Sequence, residues 1–402
     1  MNNWWILYII DGLLFFLVAL TSLYLLFYAF AALFSRPNEI SKAKRNNRFI
    51  IIIPAYRKDS TVLQTVNTVL GQTYPQRLFD VVVVSDHQQE MTNMRLAQLP
   101  ITLLTPNFEV STKAKSLQYA ILNLPQFKIY DCVLILDADN VVEPEFLERV
   151  NDAYETSGTK VIQMHRMSRN RDTSIARLDT IFEEINNSIF RRGHNAIGMS
   201  ASLNGSGMVY DFEWFKSHIM KVKTVGEDKE LEAMILREGI FIDYFENIHV
   251  YDGKTRGSRD FNSQRGRWAA TQLHALVDNL RYLPSAVLNH RYDLVDKLIQ
   301  WIMVPRTILM GIILVMGILL PFIYFSLAIK WWLAGAVVMF AFSLATPDHL
   351  VDDNWDRDFL QAPILVVWGL LNIVWVAIKE VSMRYMAIHK TTKRIISTNT
   401  RK

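Results

Sequence analysis

The chain has 402 residues, with 43 lysines and arginines against 39 aspartates and glutamates, a formal net charge of +4. Such a balance excludes the strongly basic surface of a nucleic-acid binder, and the single cysteine, Cys132, excludes an intrachain disulfide framework and a cysteine-rich zinc site. With 50% hydrophobic residues, 20% charged ones and a mean hydropathy of +0.12, the collagenous, disordered and small secreted classes fall away, and part of the apolar surplus belongs in lipid.

The first predicted element is a membrane anchor, within an N-terminal region of residues 1–46. Trp4 to Phe34 is apolar throughout except for Asp11, and about 20 such residues cross a bilayer. A signal peptide would need a basic start and a shorter apolar core, and Met1, Asn2 and Asn3 bring no basic side chain. Asp11 is expected near the outer interface, because a mid-bilayer carboxylate costs about 2.5–3.5 kcal/mol on insertion scales. Arg36, Lys42, Lys44, Arg45 and Arg48 follow the anchor. The positive-inside rule then places the N-terminus outside and the central region in the cytoplasm, in a multi-pass protein of the cell membrane.

Residues 47–290 read as alternating strands and helices. Arg48–Pro54, Asp80–Ser85 and Asp131–Leu136 are apolar, β-branched runs of the kind that form buried strands, and Ile101–Leu104 is a weaker one. Leu63–Leu70 and Lys113–Leu122 carry helical spacing, with Gly71 and Pro75 as breakers. The rhythm predicts an α/β domain with a mostly parallel sheet. Ligands in such sheets sit beyond the carboxyl ends of strands, where Pro54, Asp86 and Asp137 lie.

Past this domain, residues 291–304 contain an amphipathic stretch. Leu294, Val295, Leu298, Ile299 and Ile302 share one helical face, away from Asp293, Asp296, Lys297 and Gln300. Two readings stand: a helix lying on the membrane surface, or a core helix at the domain edge. Residues 305–402 complete the chain. Three apolar runs, Met303–Ala328, Trp331–Ala345 and Phe359–Ile378, are the C-terminal span candidates, the second short for a span, and a basic tail follows. Three spans leave the tail outside, whereas its charge favours inside.

Chemistry-bearing residues collect at the strand ends. Asp137 and Asp139 flank Ala138 directly after a strand, so both carboxylates can face one way. Such a pair can hold a hard divalent cation, Mg²⁺ or Mn²⁺, that binds phosphate oxygens. A turn or helix cap is the plainer use of the same residues.

Five stretches occur in order: Ile53-Pro54-Ala55-Tyr56, Ser85-Asp86, Asp137-Ala138-Asp139, Gly226-Glu227-Asp228 and Gln264-Arg265-Gly266-Arg267-Trp268. Together they resemble the motifs of the membrane-embedded family 2 glycosyltransferases, above all the processive synthases of cellulose, chitin, hyaluronan and poly-N-acetylglucosamine. That resemblance implies a GT-A fold and inverting transfer of a hexose or N-acetylhexosamine from a UDP-sugar to a growing glycan. It places Pro54, Ala55, Tyr56, Asp86, Lys113 and Asp137 at the nucleotide sugar, and Asp137 and Asp139 at the metal. It makes Asp228 the catalytic base. It puts Glu227, Gln264, Arg265, Arg267 and Trp268 at the acceptor and diphosphate. The chemistry asks for these types: a carboxylate takes the acceptor proton, and cations meet the charge on the departing diphosphate. The turn Leu203–Gly207 is a candidate wall of the cleft, its glycines permitting close approach of a sugar. His87, His165, His194 and His249 lack ligand spacing and read as structural.

Departures are as informative as matches. Arg57-Lys58-Asp59 stands where the pattern has Asn-Glu-Glu, Ser85 replaces an aspartate, and Gly226 replaces a threonine. No gating-loop motif follows the domain. Three hypotheses therefore remain: a processive β-glycan synthase, a transferase adding one sugar to a lipid-linked acceptor, and a non-catalytic subunit. The expected partners are a UDP-sugar, a glycan or lipid-linked acceptor and membrane lipid, with no nucleic acid.

Overall fold

The computed structural model describes residues 4–36, 38–125, 127–253 and 258–350, and the side chains of 4–7, 258–267 and 269 lie outside that description. The chain opens with α1, Trp4–Leu33. Seven strands follow among the described residues: β1 Phe49–Tyr56, β2 Phe79–Asp86, β3 Thr102–Leu104, β4 Cys132–Ile135, β5 Val161–Ser168, β6 Met208–Asp211 and β7 Ile242–Asp252. They form one sheet in the order β3-β2-β1-β4-β6-β5-β7. β1 runs parallel to β2 and to β4, while β6 is antiparallel to both of its neighbours, β4 and β5. The first half was foreseeable from its apolar runs. The second half was not, because β5 to β7 mix polar with apolar residues.

Apolar runs form the central strands because both sheet faces are covered. Ile50 and Ile52 of β1 pack to one side with Val82, Val84, Leu117 and Tyr210. Phe49, Ile51 and Ile53 pack to the other with Val66, Val83 and Leu147. The covering helices of the first half are α2 Val62–Leu70, α3 Glu90–Leu96, α4 Lys113–Leu122 and α5 Phe146–Ser157. Next come α6 Ser174–Asn187, a π-helical turn over Ser188–Arg192, and α7 Gly193–Ala196. The series continues with α8 Phe212–Ile219, α9 Glu227–Glu238, α10 Ser258–Leu280, α11 Leu283–Leu288 and α12 Tyr292–Ile302. Chain order turns in opposite directions from β1, to β2 on one side and β4 on the other. That arrangement opens a crevice at their carboxyl ends.

Among the described residues, three helices are long and apolar enough to cross a membrane: Tyr8–Leu33 within α1, α13 Arg306–Ile323 and α14 Phe325–Ala345. The C-terminal boundaries differ from the expected runs. The break falls at the extended residue Tyr324, just after Pro321, and not at Lys330, so α14 has 21 residues and is not short. Proline has no N–H to offer the carbonyl four residues back, and the freed Gly317 carbonyl accepts from the Trp332 indole at 3.0 Å. Lys330 misled the reading because its charge is met inside the bundle: it pairs with Asp11, which is buried and also accepts from Trp331 Nε1 at 2.9 Å. Ile185 and Ile189 join Leu25, Ala29, Leu309 and Trp331 in one core, which seats these helices on the α/β domain. The run Phe359–Ile378 and the basic tail lie outside the described residues.

Along α12, Leu294, Leu298 and Trp301 are buried, while Ile299 and Ile302 are exposed. Asp296, Lys297 and Gln300, expected away from the apolar face, are buried as well.

Candidate active site

The carboxyl ends of β1, β2 and β4 converge on a cleft of about 670 Å³. Alternation along β1 turns Pro54 and Tyr56 toward it, and both line it, whereas Ala55 is buried in the sheet core. Asp86 ends β2 at the cleft wall and is 1% exposed. Its Oδ1 stands 2.5 Å from His87 Nδ1, and its Oδ2 has no hydrogen-bond partner among the described residues. A buried, unpartnered carboxylate oxygen costs free energy unless a ligand donor meets it. The turn after β1 carries Arg57 at φ 50°, with its N–H bonded to the Asp86 carbonyl at 3.3 Å.

Asp137 follows β4 with its backbone N–H held by Asn140 Oδ1 at 2.8 Å and Ser206 Oγ at 3.1 Å. Each carboxylate of the Asp137/Asp139 pair faces a lysine. Lys113, in the first turn of α4, lies 2.5 Å from Asp137 Oδ1 and 2.5 Å from the Gly205 carbonyl. Lys58 lies 2.6 Å from Asp139 Oδ2. Burial works against the Lys113 charge, but Asp137 and Glu227 more than reverse it, so its pKa is raised. Burial and then Asp252 raise the Asp139 carboxyl above its ordinary value, against the pull of Lys58. Asp252 itself is bound by Arg166, Nε to Oδ2 at 3.0 Å.

The opposite wall is the start of α9. Glu227 is buried, with Oε1 3.6 Å from Lys113 Nζ. Burial raises its carboxyl to about 7 despite that lysine. Asp228 is half-buried and lines the cleft. Gly205, at φ 87°, keeps the cleft open: a Cβ there would stand 3.8 Å from both Asp228 Oδ2 and Lys113 Nζ. Gly226 explains its own departure from the pattern. A Cβ at 226 would meet Thr271 of α10 at 3.1 Å. That close packing sets α9 against α10, where Trp268, 37% exposed, lines the same cleft.

A family model described as "Glycosyltransferase like family 2" matches residues 46–271, more than half of the chain. The chain belongs to that family. It is therefore a glycosyltransferase, an enzyme of inverting sugar transfer from a nucleotide sugar, with a GT-A-like α/β fold. A solved structure of the mannosyltransferase PcManGT from Pyrobaculum calidifontis, in complex with GDP-Man and Mn²⁺, superimposes with a TM-score of 0.56 at 15% identity, covering 91% of this chain and 99% of that one. The S. aureus protein TarS, residues 1–349 in complex with UDP-GlcNAc, gives a TM-score of 0.38 at 15% identity over 73% of this chain and 89% of that one. No curated protein matches the sequence.

In this family 2 glycosyltransferase, Pro54, Tyr56, Asp86, Lys113, Asp137, Glu227, Asp228 and Trp268 all line one cleft, although they come from distant parts of the chain. Asp139 is not among the residues that line it; two positions after Asp137, it is held by Lys58. Gln264, Arg265 and Arg267 belong to α10, and their side chains lie outside the described ones. Four residues escaped the sequence reading. Lys58 was visible only as a charge reversal in the pattern. Arg166, Glu232 and Lys297 line the cleft with no motif around them. Glu230, by contrast, accepts from the backbone N–H of Lys223 at 3.1 Å and of Thr224 at 2.5 Å, and so holds the turn before α9. His165 is likewise internal, 3.0 Å from Glu184 Oε1 and 2.8 Å from the Tyr244 hydroxyl.

Proposed function

We propose that this enzyme moves a hexose or N-acetylhexosamine from a UDP-sugar to a growing β-linked glycan at the cytoplasmic face of the cell membrane. The carrying observation is the reach of the cleft. It runs from Asp86 and Asp137 past Asp228 to Thr21 and Leu25 of α1 and to Met303–Thr307 at the head of α13. Donor chemistry and membrane helices thus share one cavity, so a product can pass from one to the other. The basic flank from Arg36 to Arg48 supports a cytoplasmic catalytic domain.

Asp137 and Asp139 suit a hard divalent cation. Among the described residues no third ligand joins them, which fits Mg²⁺ or Mn²⁺ held by one or two carboxylates plus substrate phosphates. When bound, the ion would offset charge on the departing diphosphate. The chain's own residues do the rest. Asp86 offers its open oxygen to a donor on the base, beside Pro54 and Tyr56. Lys113 faces the diphosphate from α4. Asp228 takes the proton of the acceptor hydroxyl as that oxygen attacks the anomeric carbon. Trp268 stacks on the acceptor sugar, and Gln264, Arg265 and Arg267 complete that end.

A second reading draws on the apolar lining at the membrane end, where Leu25, Met303 and Val304 meet the cleft. It is single transfer to a lipid-linked acceptor. Purified enzyme is to be given labelled UDP-glucose, UDP-N-acetylglucosamine, UDP-galactose and GDP-mannose with Mn²⁺. A ladder of long products with one UDP-sugar supports the synthase. One labelled lipid band selects the second reading, and absence of nucleotide release with every donor overturns both.

A further inference from the structure

The two lysines on the Asp137/Asp139 pair are not equivalent. Lys113 is built in: its side chain is 20% exposed, and it is shared among Asp137, Glu227 and the Gly205 carbonyl. Lys58 is 46% exposed and makes its one described polar side-chain contact to Asp139, whose side chain is 19% exposed. The Lys58 backbone, in contrast, is fixed. Its carbonyl accepts from the N–H groups of Thr61 at 3.1 Å and Val62 at 3.0 Å, the start of α2, and the preceding Arg57 N–H is tied to Asp86. Only the long, flexible side chain is free to move, from a backbone held at the start of α2 and, through Arg57, beside Asp86 of the cleft wall.

An ammonium and a divalent cation repel each other and compete for the same carboxylate oxygen. Lys58 therefore has to leave Asp139, at least in part, when a cation arrives there. Within reach of its anchored stem, the new anion is the diphosphate that the cation itself binds. We propose that Lys58 is a donor-site residue that changes partners: counter-ion of Asp139 in the empty cleft, and ligand of the nucleoside diphosphate in the loaded one. This rests on the reading of Asp139 as a cation ligand and of the donor as a nucleoside diphosphate sugar. No bond is made or broken in the change. A carboxylate–ammonium contact is exchanged for carboxylate–cation and phosphate–ammonium contacts, and charge is balanced in both states. In the empty cleft Lys58 shields the exposed edge of the carboxylate pair, and in the loaded cleft it adds a positive charge beside the leaving group.

The exchange predicts opposite effects of one substitution on two ligands. The full chain in detergent is compared as wild type, Lys58→Gln and Lys58→Arg. Mn²⁺ alone is titrated and the free ion followed by electron paramagnetic resonance. UDP is then titrated by calorimetry at saturating Mn²⁺. Removing a half-exposed competitor tightens Mn²⁺ binding about fivefold, whereas losing a charge-assisted contact to phosphate weakens UDP binding about tenfold or more. Lys58→Arg keeps the charge and returns both constants toward wild type. Unchanged constants in Lys58→Gln overturn the proposal, and so does a parallel loss of both affinities, which marks a merely structural lysine. Wild-type protein that binds neither Mn²⁺ nor UDP overturns the donor-site reading itself, and this proposal with it.

Discussion

The two ends of the cleft use buried carboxylates in opposite ways. Beside the donor chemistry they are not saturated: Asp86 keeps an oxygen with no hydrogen-bond partner among the described residues, and Glu227, on the opposite wall, has its carboxyl raised to about 7 because burial outweighs the nearby Lys113. At the membrane end they are saturated. Asp296 of α12 accepts from Tyr24 at 2.7 Å, Tyr28 at 3.0 Å and Gln300 at 2.7 Å, and lies 3.1 Å from His194 Nε2. Burial alone would raise its carboxyl too, but the bonds from His194 and Tyr24 bring it down to about 2. The His194 ring lies flat on Tyr28, with centroids 3.7 Å apart. Lys297, one residue on, reaches Ser202 at 2.6 Å, Gln300 at 2.8 Å and Glu232 at 2.8 Å. Glu232 belongs to α9, one turn beyond Asp228, so this network ties α9 to α1. Open valences prepare a site for a ligand. Filled ones hold the site where it is.

That contrast is broken most sharply at Asp228. Asp228→Asn keeps the shape and removes the proposed base, and loss of a positioned base costs about 10²–10⁴ in rate. Transfer falls by that factor while UDP-sugar affinity and melting temperature stay near wild type. Normal transfer by the variant would reassign the base.

At the saturated end the expected loss is of stability. Lys297 and Glu232 are 3% and 2% exposed. Lys297→Met leaves Glu232 buried and uncompensated, which costs about 3–5 kcal/mol. Replacing both, Lys297→Met with Glu232→Leu, recovers much of it, because an apolar pair carries no stranded charge. Thermal unfolding of the three proteins in detergent measures this. A single variant as stable as wild type would show that the network does not hold α9.

Glu227 gives the contrast a pH dependence. Its folded carboxyl titrates at about 7, above its ordinary 4.5. The folded state therefore keeps a proton that the unfolded chain releases, and the associated stability is fully present below 4.5 and is lost as pH rises through 7. The melting temperature should fall by several degrees from pH 5 to 7.5 in wild type, and less steeply in Glu227→Gln. Equal slopes in the two proteins would remove Glu227 as the titrating group.

Legibility followed the same division. β1, β2 and β4 announce themselves as apolar runs, and the residues that end them, Pro54, Asp86 and Asp137, needed only the rule that crevices form at carboxyl ends. Asp228 and Trp268 came from motif resemblance, since nothing local shows that α9 and α10 meet at Gly226 and Thr271. The membrane end was hidden for a physical reason. Helical periodicity sorts residues into apolar and polar faces and assigns the polar one to water. Asp296, Lys297 and Gln300 face each other's partners from α1, α7 and α9 instead. Lys330 misled in the same way, because its charge is met by Asp11, more than 300 positions distant. Such pairing is a tertiary fact with no periodic trace.

Trp268 is the mildest test, because 37% of it is exposed and it sits between the two ends. If its indole carries the acceptor sugar, Trp268→Ala removes a flat apolar surface from one substrate and leaves the other untouched. Aromatic contacts of this kind are worth about 0.5–1.5 kcal/mol, or roughly tenfold at the upper limit. Transfer to acceptor should fall by up to that factor, while slow hydrolysis of the UDP-sugar by water, which needs no acceptor, stays unchanged. Asp228→Asn is the control with the other signature, since a lost base slows attack by water as well as by a sugar hydroxyl. Equal loss of transfer and hydrolysis in Trp268→Ala would mean that the side chain props α10 against α9, as Thr271 does one turn further on, and the stacking role would have to be given up.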